Sequence, residues 1–376
     1  MPIKKGIVEL PLHHGSCPRW LFPKMVKLAG SIIEIISYEY GTKEFLIRVS
    51  EPYWFQALGC ILGFDWHSSG LTTTVCASIK EALNNVDIGM YVAGGKGKMS
   101  KKTPQEIENK ALQVSLNENK TLELIKASKL VAKVDNNALQ DGFQLYHHSF
   151  FFDNRGNWTV VQQGMNNENR YARRYHWLSD KVKEKSFVNE PHSGICCDTR
   201  TRTLNLVAKE NSEIRKCSVD LVKDNPSHLK KYINKIFKID KNQTTLSKFF
   251  HHKIDVFSLS PTHFPKITID MKTLMKAYEL QPRDYEELLL IKGMGPKNLR
   301  ALALISEVIY GCKASWRDPV KFSFAHGGKD GWPEPINKRR YENSIKVLQD
   351  AVKQAKLGKL EKIKAIKRLN LFISYF

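Results

Sequence analysis

Phe150-Phe-Phe-Asp-Asn-Arg-Gly-Asn-Trp-Thr-Val-Val161 is the stretch that decides the fold class. Two runs of aromatic and β-branched residues flank Asp153-Asn-Arg-Gly-Asn157, whose Asn and Gly supply the positive φ that a hairpin turn needs. Outward from these two strands the pattern turns helical. Leu21, Met25, Leu28, Ile32, Ile35 and Ile36 recur at intervals of three and four, which predicts a helix over residues 20–37. Further helices are expected over 53–62 and 71–83. Another opens at Thr103, as N-cap, with Pro104 at the first helical position. A helix is expected to begin near Asn167, and short strands at 6–12 and 204–208. From Ile269 onward everything reads helical. The class is therefore α+β: a mixed N-terminal domain with a β-hairpin (1–208), a polar Lys-rich connection (209–268), an all-helical domain (269–336) and a basic helical segment (337–376).

Composition narrows the partners. The 376 residues include 59 Lys and Arg against 38 Asp and Glu, a net charge of +21, which favours a polyanion, nucleic acid before membrane. The last forty residues alone carry +8, with Ile345, Leu348, Val352, Ala355 and Leu360 as one apolar stripe of a basic helix or helix pair. The longest uncharged apolar stretch, residues 52–64, is thirteen residues, too short to span a bilayer. Seven cysteines with no C-x-x-C pair, and no apolar segment after the first lysines, read as reduced thiols of a cytoplasmic protein without a secretory signal.

The motif richest in physical content is Glu286-Glu-Leu-Leu-Leu-Ile-Lys-Gly-Met-Gly-Pro-Lys-Asn-Leu-Arg-Ala-Leu-Ala-Leu-Ile305. A short helix ends near Ile291, Gly293-Met294-Gly295 turns tightly, and Pro296 starts a second helix where its missing N–H does no harm. The turn and the helix N-terminus present N–H groups to an anion, Lys297 adds a cation beside it, and Met294 points inward. Elsewhere Gly94-Gly-Lys-Gly-Lys98 is expected to be a phosphate-binding loop through Lys96 and Lys98, without P-loop spacing. Arg170, Arg173 and Arg174 share one face if helical, with Tyr171, Tyr175 and Trp177 between them, a pattern suited to phosphates and unpaired bases. Asp65 and His67 form an acid–base or metal-ligand pair, Asp65 alternatively being a helix cap. With His13, His14, Glu190 and His192 they supply enough groups for a hydrolytic site or a divalent metal, Mg or Mn. Zincin, α/β-hydrolase, Rossmann and zinc-ribbon patterns are absent.

The segment 284–309 resembles the helix-hairpin-helix motif of DNA repair and replication proteins, which grips DNA backbone without reading sequence. Leu299 stands where that family usually has a small residue. A finer resemblance is to base-excision glycosylases of the endonuclease III type. It makes Lys297 a Schiff-base nucleophile and Asp318, in Ser315-Trp-Arg-Asp-Pro-Val320, its electrostatic partner; Arg317 and Val320 depart from that pattern. Over its length the chain also resembles an uncharacterised archaeal and bacterial family known only as a domain of unknown function. The residues that carry this are His13-His-Gly15, Trp54-Phe-Gln-Ala57, Phe64-Asp-Trp-His-Ser-Ser-Gly70, Gly94-Gly-Lys-Gly-Lys98, Val160-Val-Gln-Gln-Gly164, Ala172-Arg-Arg-Tyr-His-Trp177 and Phe324-Ala-His-Gly-Gly-Lys329. The combined expectation is a DNA-processing enzyme, a nuclease or a glycosylase/lyase. The alternatives are a non-catalytic DNA- or RNA-binding protein and, after that, an RNA-modifying enzyme.

Overall fold

The computed structural model describes residues 17–64, 69–197, 200–231 apart from 230, 269–320, 338–355 and 358–374. His13, His14, Asp65, His67, the expected strand at 6–12 and most of the expected connection lie outside the described residues. Strands β1 (Met90–Lys96), β3 (Gln144–Asp153), β4 (Trp158–Asn166), β5 (Tyr171–Leu178) and β6 (His192–Cys196) form one antiparallel sheet in the order β1-β3-β4-β5-β6. A small second ladder joins β2 (Leu139–Gln140) to β7 (Leu204–Asn205). The molecule is α+β, as expected.

The hairpin forms as its sequence predicts. Asp153 closes it: its carboxylate accepts hydrogen bonds from the amides of Arg155 at 3.0 Å and Asn157 at 2.9 Å, while Gly156 takes φ +83°. Residues 167–170 make a turn rather than a helix start, with Arg170 at φ +60°, and 171–178 is strand β5. The three arginines at spacings of three and one imitate a helical face, but the sheet claims the segment because both of its faces are buried.

Alternate side chains of the strands enter two different cores. Phe150, Phe152, Val160, Tyr175, Trp177 and Ile195 pack with helices Thr103–Gln113, Glu118–Lys133, Ser212–Lys223, Met271–Leu280, Tyr285–Leu290 and Pro296–Tyr310. Phe151, Val161, Ala172 and Cys196 pack with helices Phe22–Tyr40, Thr42–Val49, Pro52–Ile61 and Gly70–Asn84, and with the C-terminal pair Lys338–Gln354 and Lys359–Ser374. Antiparallel sheets commonly leave one face in water; this one does not. Among the described residues, 269–320 share a core with the sheet and form no separate one. Leu348, Val352 and Ala355 of the expected C-terminal stripe are buried, while Leu360 is exposed. Arg368 reaches back to cap helix Pro52–Ile61, its Nη2 donating to Ile61 O at 2.6 Å. No described helix is long and apolar enough to cross a membrane.

Gly94-Gly-Lys-Gly-Lys98 is not a loose loop. It ends β1 and enters a one-turn helix, Lys98–Lys101. Gly94 donates its amide to Glu106 Oε2 at 3.0 Å, and that carboxylate also takes Lys80 Nζ. Thr103 turns its hydroxyl back to Ser100 O instead of capping. Gly94 sits at φ +91°, where a Cβ would stand 2.2 Å from the His148 carbonyl oxygen. Gly94→Ala therefore costs more than about 1 kcal/mol, read as a lower urea midpoint; an unchanged midpoint would show that β1 can move away from β3.

Candidate active site

One cross-strand row, Gly95–His148–Gln162–Tyr175–Ile195, spans the sheet and faces helix Glu118–Lys133 and the single π-helical turn Val134–Ala138 that follows it. Burial pushes the His148 imidazole down to about 4, so the ring is neutral at pH 7. Its tautomer follows from its neighbours. Gln162 Nε2 donates to Val131 O at 3.3 Å and to Asp135 Oδ2 at 2.5 Å, which leaves its Oε1 as acceptor. His148 Nδ1–H therefore donates to Gln162 Oε1 at 2.6 Å, and its Nε2 accepts from the Ser128 hydroxyl at 3.0 Å. Asp135, fully buried, also accepts from Trp177 Nε1 at 2.8 Å and from His192 Nε2 at 2.5 Å. Three donors thus converge on one carboxylate, and the third is an imidazole on the edge strand β6.

A second network lies beside it. Arg173 on β5 is fully buried and joins two carboxylates: Nη1 donates to Asp141 at 3.0 Å, and Nη1 and Nη2 together clamp Asp318 at 3.1 and 2.8 Å. Burial opposes its charge, but the attraction of Asp141 and the groups around it outweighs that and holds the guanidinium above its ordinary range. Tyr175 donates to Asp141 at 2.7 Å, and the Thr201 and Val320 amides donate to Asp318. On the opposite face Arg174 is equally buried. Its Nε donates to His176 Nε2 at 2.9 Å, so His176 Nδ1–H donates to Val49 O. The expectation that Arg173 and Arg174 touch nucleic acid is thereby corrected: both guanidinium groups are spent inside. Arg170 stays in the turn before β5.

Where the first two networks meet, a pocket of about 460 Å³ opens, lined by Glu190, His192, Arg200, Asn205, Arg317 and Asp318 among others. Glu190 takes the left-handed conformation (φ +47°) and donates its amide to Val207 O at 2.8 Å; such strain in a non-glycine residue is found where a side chain must be aimed. Arg200 and Arg317 are exposed at the rim. His192 keeps 8% of its side-chain surface accessible, and its Nδ1 has no hydrogen-bond partner among the described residues. An imidazole that lines a pocket and is tied through Nε2 to a buried carboxylate, with Nδ1 unbonded among the described residues, is equipped to take a proton from a bound molecule.

The structure thus gathers three of the expected residues, Glu190, His192 and Asp318, in one place. It does not assemble the expected Lys297–Asp318 pair. Lys297 is exposed on the first turn of helix Pro296–Tyr310, Asp318 is committed to Arg173, and no hydrogen bond or ion pair joins them among the described residues. Lys96 and Lys98 are exposed but do not line the pocket. No group of three or more His, Cys, Asp or Glu side chains is placed to hold a metal ion among the described residues, so Glu190 and His192 are not two members of such a cluster there.

The glycine turn forms as read, with Met294 fully buried. Gly293, at φ +96°, is required, since a Cβ there would stand 2.4 Å from Thr273 Oγ1; Gly295, at φ −107°, needs no glycine for its conformation. The inner side of the turn is tied down. Met294 O accepts from Asn137 Nδ2 at 3.2 Å and Lys133 Nζ at 3.4 Å, and Pro296 O accepts from Gln140 Nε2 at 2.8 Å. Asn137 and Asp135 belong to the same π-helical turn.

A family model described as a protein of unknown function (DUF763) matches residues 6–336. The chain belongs to that family. The DUF763 match takes in the sheet, the pocket and the glycine turn, and ends before helix Lys338–Gln354. No curated protein and no solved structure matches the chain.

Two outcomes follow from the buried charges. Arg173→Met leaves Asp141 and Asp318 facing each other without a counter-ion and is expected to cost about 3–5 kcal/mol in urea unfolding; a loss under about 1 kcal/mol would mean that the carboxylates have another partner. The second concerns pH. His148 is held down to about 4 by burial, and His147 to about 3 by burial and by His148 beside it, against 6.5 in an unfolded chain. As pH falls below 6.5 the unfolded state takes up protons that the folded state refuses, so stability drops until the folded rings protonate near 4 and 3. Each ring adds up to about 1.4 kcal/mol per pH unit to that slope, and His148→Gln removes one share. Equal slopes for the variant and the parent protein would contradict the assignment.

Proposed function

We propose that this protein is a DNA-processing hydrolase in which His192, oriented by Asp135, is the general base, and the glycine turn with Lys297 holds the sugar–phosphate backbone. The observation that carries the reading is the turn Val134–Ala138. From it Asp135 holds His192 at the pocket and, two residues on, Asn137 holds the carbonyl of Met294 in the glycine turn. Base and grip are built on one piece of backbone.

In this reading His192 Nδ1 takes the proton of an attacking water, and Arg200 and Arg317 at the rim neutralise the phosphate under attack. Helix Pro296–Tyr310 has no side-chain cap at Gly295, so its first amides are available to a phosphate. Lys292 and Lys297 are exposed on either side of the turn. The net charge of +21 supports a polyanionic substrate. The lyase chemistry considered for Lys297 is less well supported, because Asp318 is neutralised by Arg173 rather than left beside the lysine.

The test is a cleavage and binding assay on the full-length protein with labelled duplex, single-stranded and abasic DNA, and with transfer RNA as competitor. Turnover of DNA is expected, falling by roughly 10²–10⁴ in His192→Ala with binding retained. Lys297→Glu weakens binding across all sequences and lowers the salt slope by about 1. Salt-dependent binding without turnover would make the protein a non-catalytic binder. A borohydride-trapped adduct lost in Lys297→Ala would restore the lyase reading, and absence of binding would remove nucleic acid altogether.

A further inference from the structure

Apart from the pocket and the glycine turn, two thiols stand against each other. Cys217 lies on helix Ser212–Lys223, and Cys312 follows Gly311, which ends helix Pro296–Tyr310 in the left-handed conformation. Their sulfurs are 3.5 Å apart. Both residues are half-buried, whereas Cys60, Cys76, Cys196 and Cys197 are buried. A disulfide needs about 2.05 Å between sulfurs, so closure asks for a shift of roughly 1.5 Å, within the reach of two χ1 adjustments and a small movement of residue 312. Cys312 follows the helix rather than lying within it, which allows that movement.

We propose that Cys217 and Cys312 are a thiol–disulfide exchange site that takes a low-molecular-weight disulfide of the glutathione type as oxidant and closes an intramolecular bond. The Cys312 thiolate attacks one sulfur of the small disulfide, its S–S bond breaks, and one small thiolate leaves. Cys217 then gives its proton to solvent and attacks the Cys312 sulfur of the mixed disulfide, expelling the second small thiolate. Two protein thiols are oxidised, and one small disulfide is reduced to two thiols.

The order follows from the surroundings. Cys217 is fixed within helix Ser212–Lys223, where burial and then the hydrogen bond with Cys312 raise its thiol, whereas Cys312 sits past the helix end on a segment that can swing out to meet the small disulfide. The bond matters because of what Cys312 leads into. The segment 312–320 runs past the pocket, held by Ser315 on Asn211 at 2.9 Å and on Glu210 at 2.7 Å and by Asp318 on Arg173. Closing the disulfide ties that segment, with Arg317 and Asp318, to helix Ser212–Lys223. The pairing stands independently of the activity proposed above.

The test uses the native full-length protein incubated with oxidised glutathione, quenched by alkylation and mapped without reduction. A linked peptide pair containing Cys217 and Cys312 is expected, with the intact mass lower by two hydrogens and restored by dithiothreitol. Cys217→Ser is expected to keep one glutathione on Cys312, trapping the first step. The proposal is overturned if either cysteine maps to a different partner, if both carry glutathione without a cross-link, or if both stay alkylatable after the oxidant.

Discussion

Covering both faces of an antiparallel sheet is the constraint on which the rest of this structure depends. The strand side chains His147, His148, Gln162, Gln163, Arg173, Arg174 and His176 are all taken out of water. An unpaired buried polar group costs about 1–3 kcal/mol, and an unpaired charge more. The chain answers with local, directed partners: a carboxylate from the turn after helix Glu118–Lys133, carbonyls from Val49 and Val131, and hydroxyls from Ser128 and Thr72. Such networks tolerate little displacement, because moving one donor strands the next. The sheet therefore gives the pocket a rigid floor.

Arg173 links that floor to the wall. Its guanidinium pairs with both Asp141 and Asp318, and Asp318 arrives from a part of the chain well over a hundred residues away. The turn Val134–Ala138 makes the second long-range link, to the carbonyl of Met294. Between them these contacts lock the helices after residue 269 to the sheet, and they explain why that region shares a hydrophobic core with the strands instead of packing as a separate unit.

The local features were legible in the sequence. The hairpin at Asp153-Asn-Arg-Gly-Asn157, the glycine turn at Gly293, the helix over 22–40 and the basic pair at the C-terminus are decided by residues close together in the chain. Strand β5 was not legible, because a strand buried on both faces loses the alternation that reports one and Arg170, Arg173 and Arg174 imitate a helical spacing. The connection after residue 208 reads as a polar linker, while the described helices of 269–320 pack into the same core as the sheet. Of the site, Glu190 and His192 stood out as a carboxylate–imidazole pair on a loop, and Asp318 by its spacing from Lys297. Asp135, Asp141 and Gln162, which hold them, did not. In Lys133-Val-Asp-Asn-Asn-Ala138 the polar residues look like an exposed helix end, yet Asp135 and Asn137 are buried. A polar cluster flanked on both sides by apolar residues was the available signal.

His192 can act as the base through Nδ1 only while Asp135 holds the proton on Nε2. Long-range ¹H–¹⁵N correlation on the full-length protein at alkaline pH, with the imidazole assigned by its disappearance in His192→Ala, reads this directly. The prediction is a single Nε2–H form with a bare Nδ1, lost to tautomer exchange in Asp135→Ala. A proton on Nδ1, or an averaged signal in the unmodified protein, would contradict the arrangement of base and pocket described above.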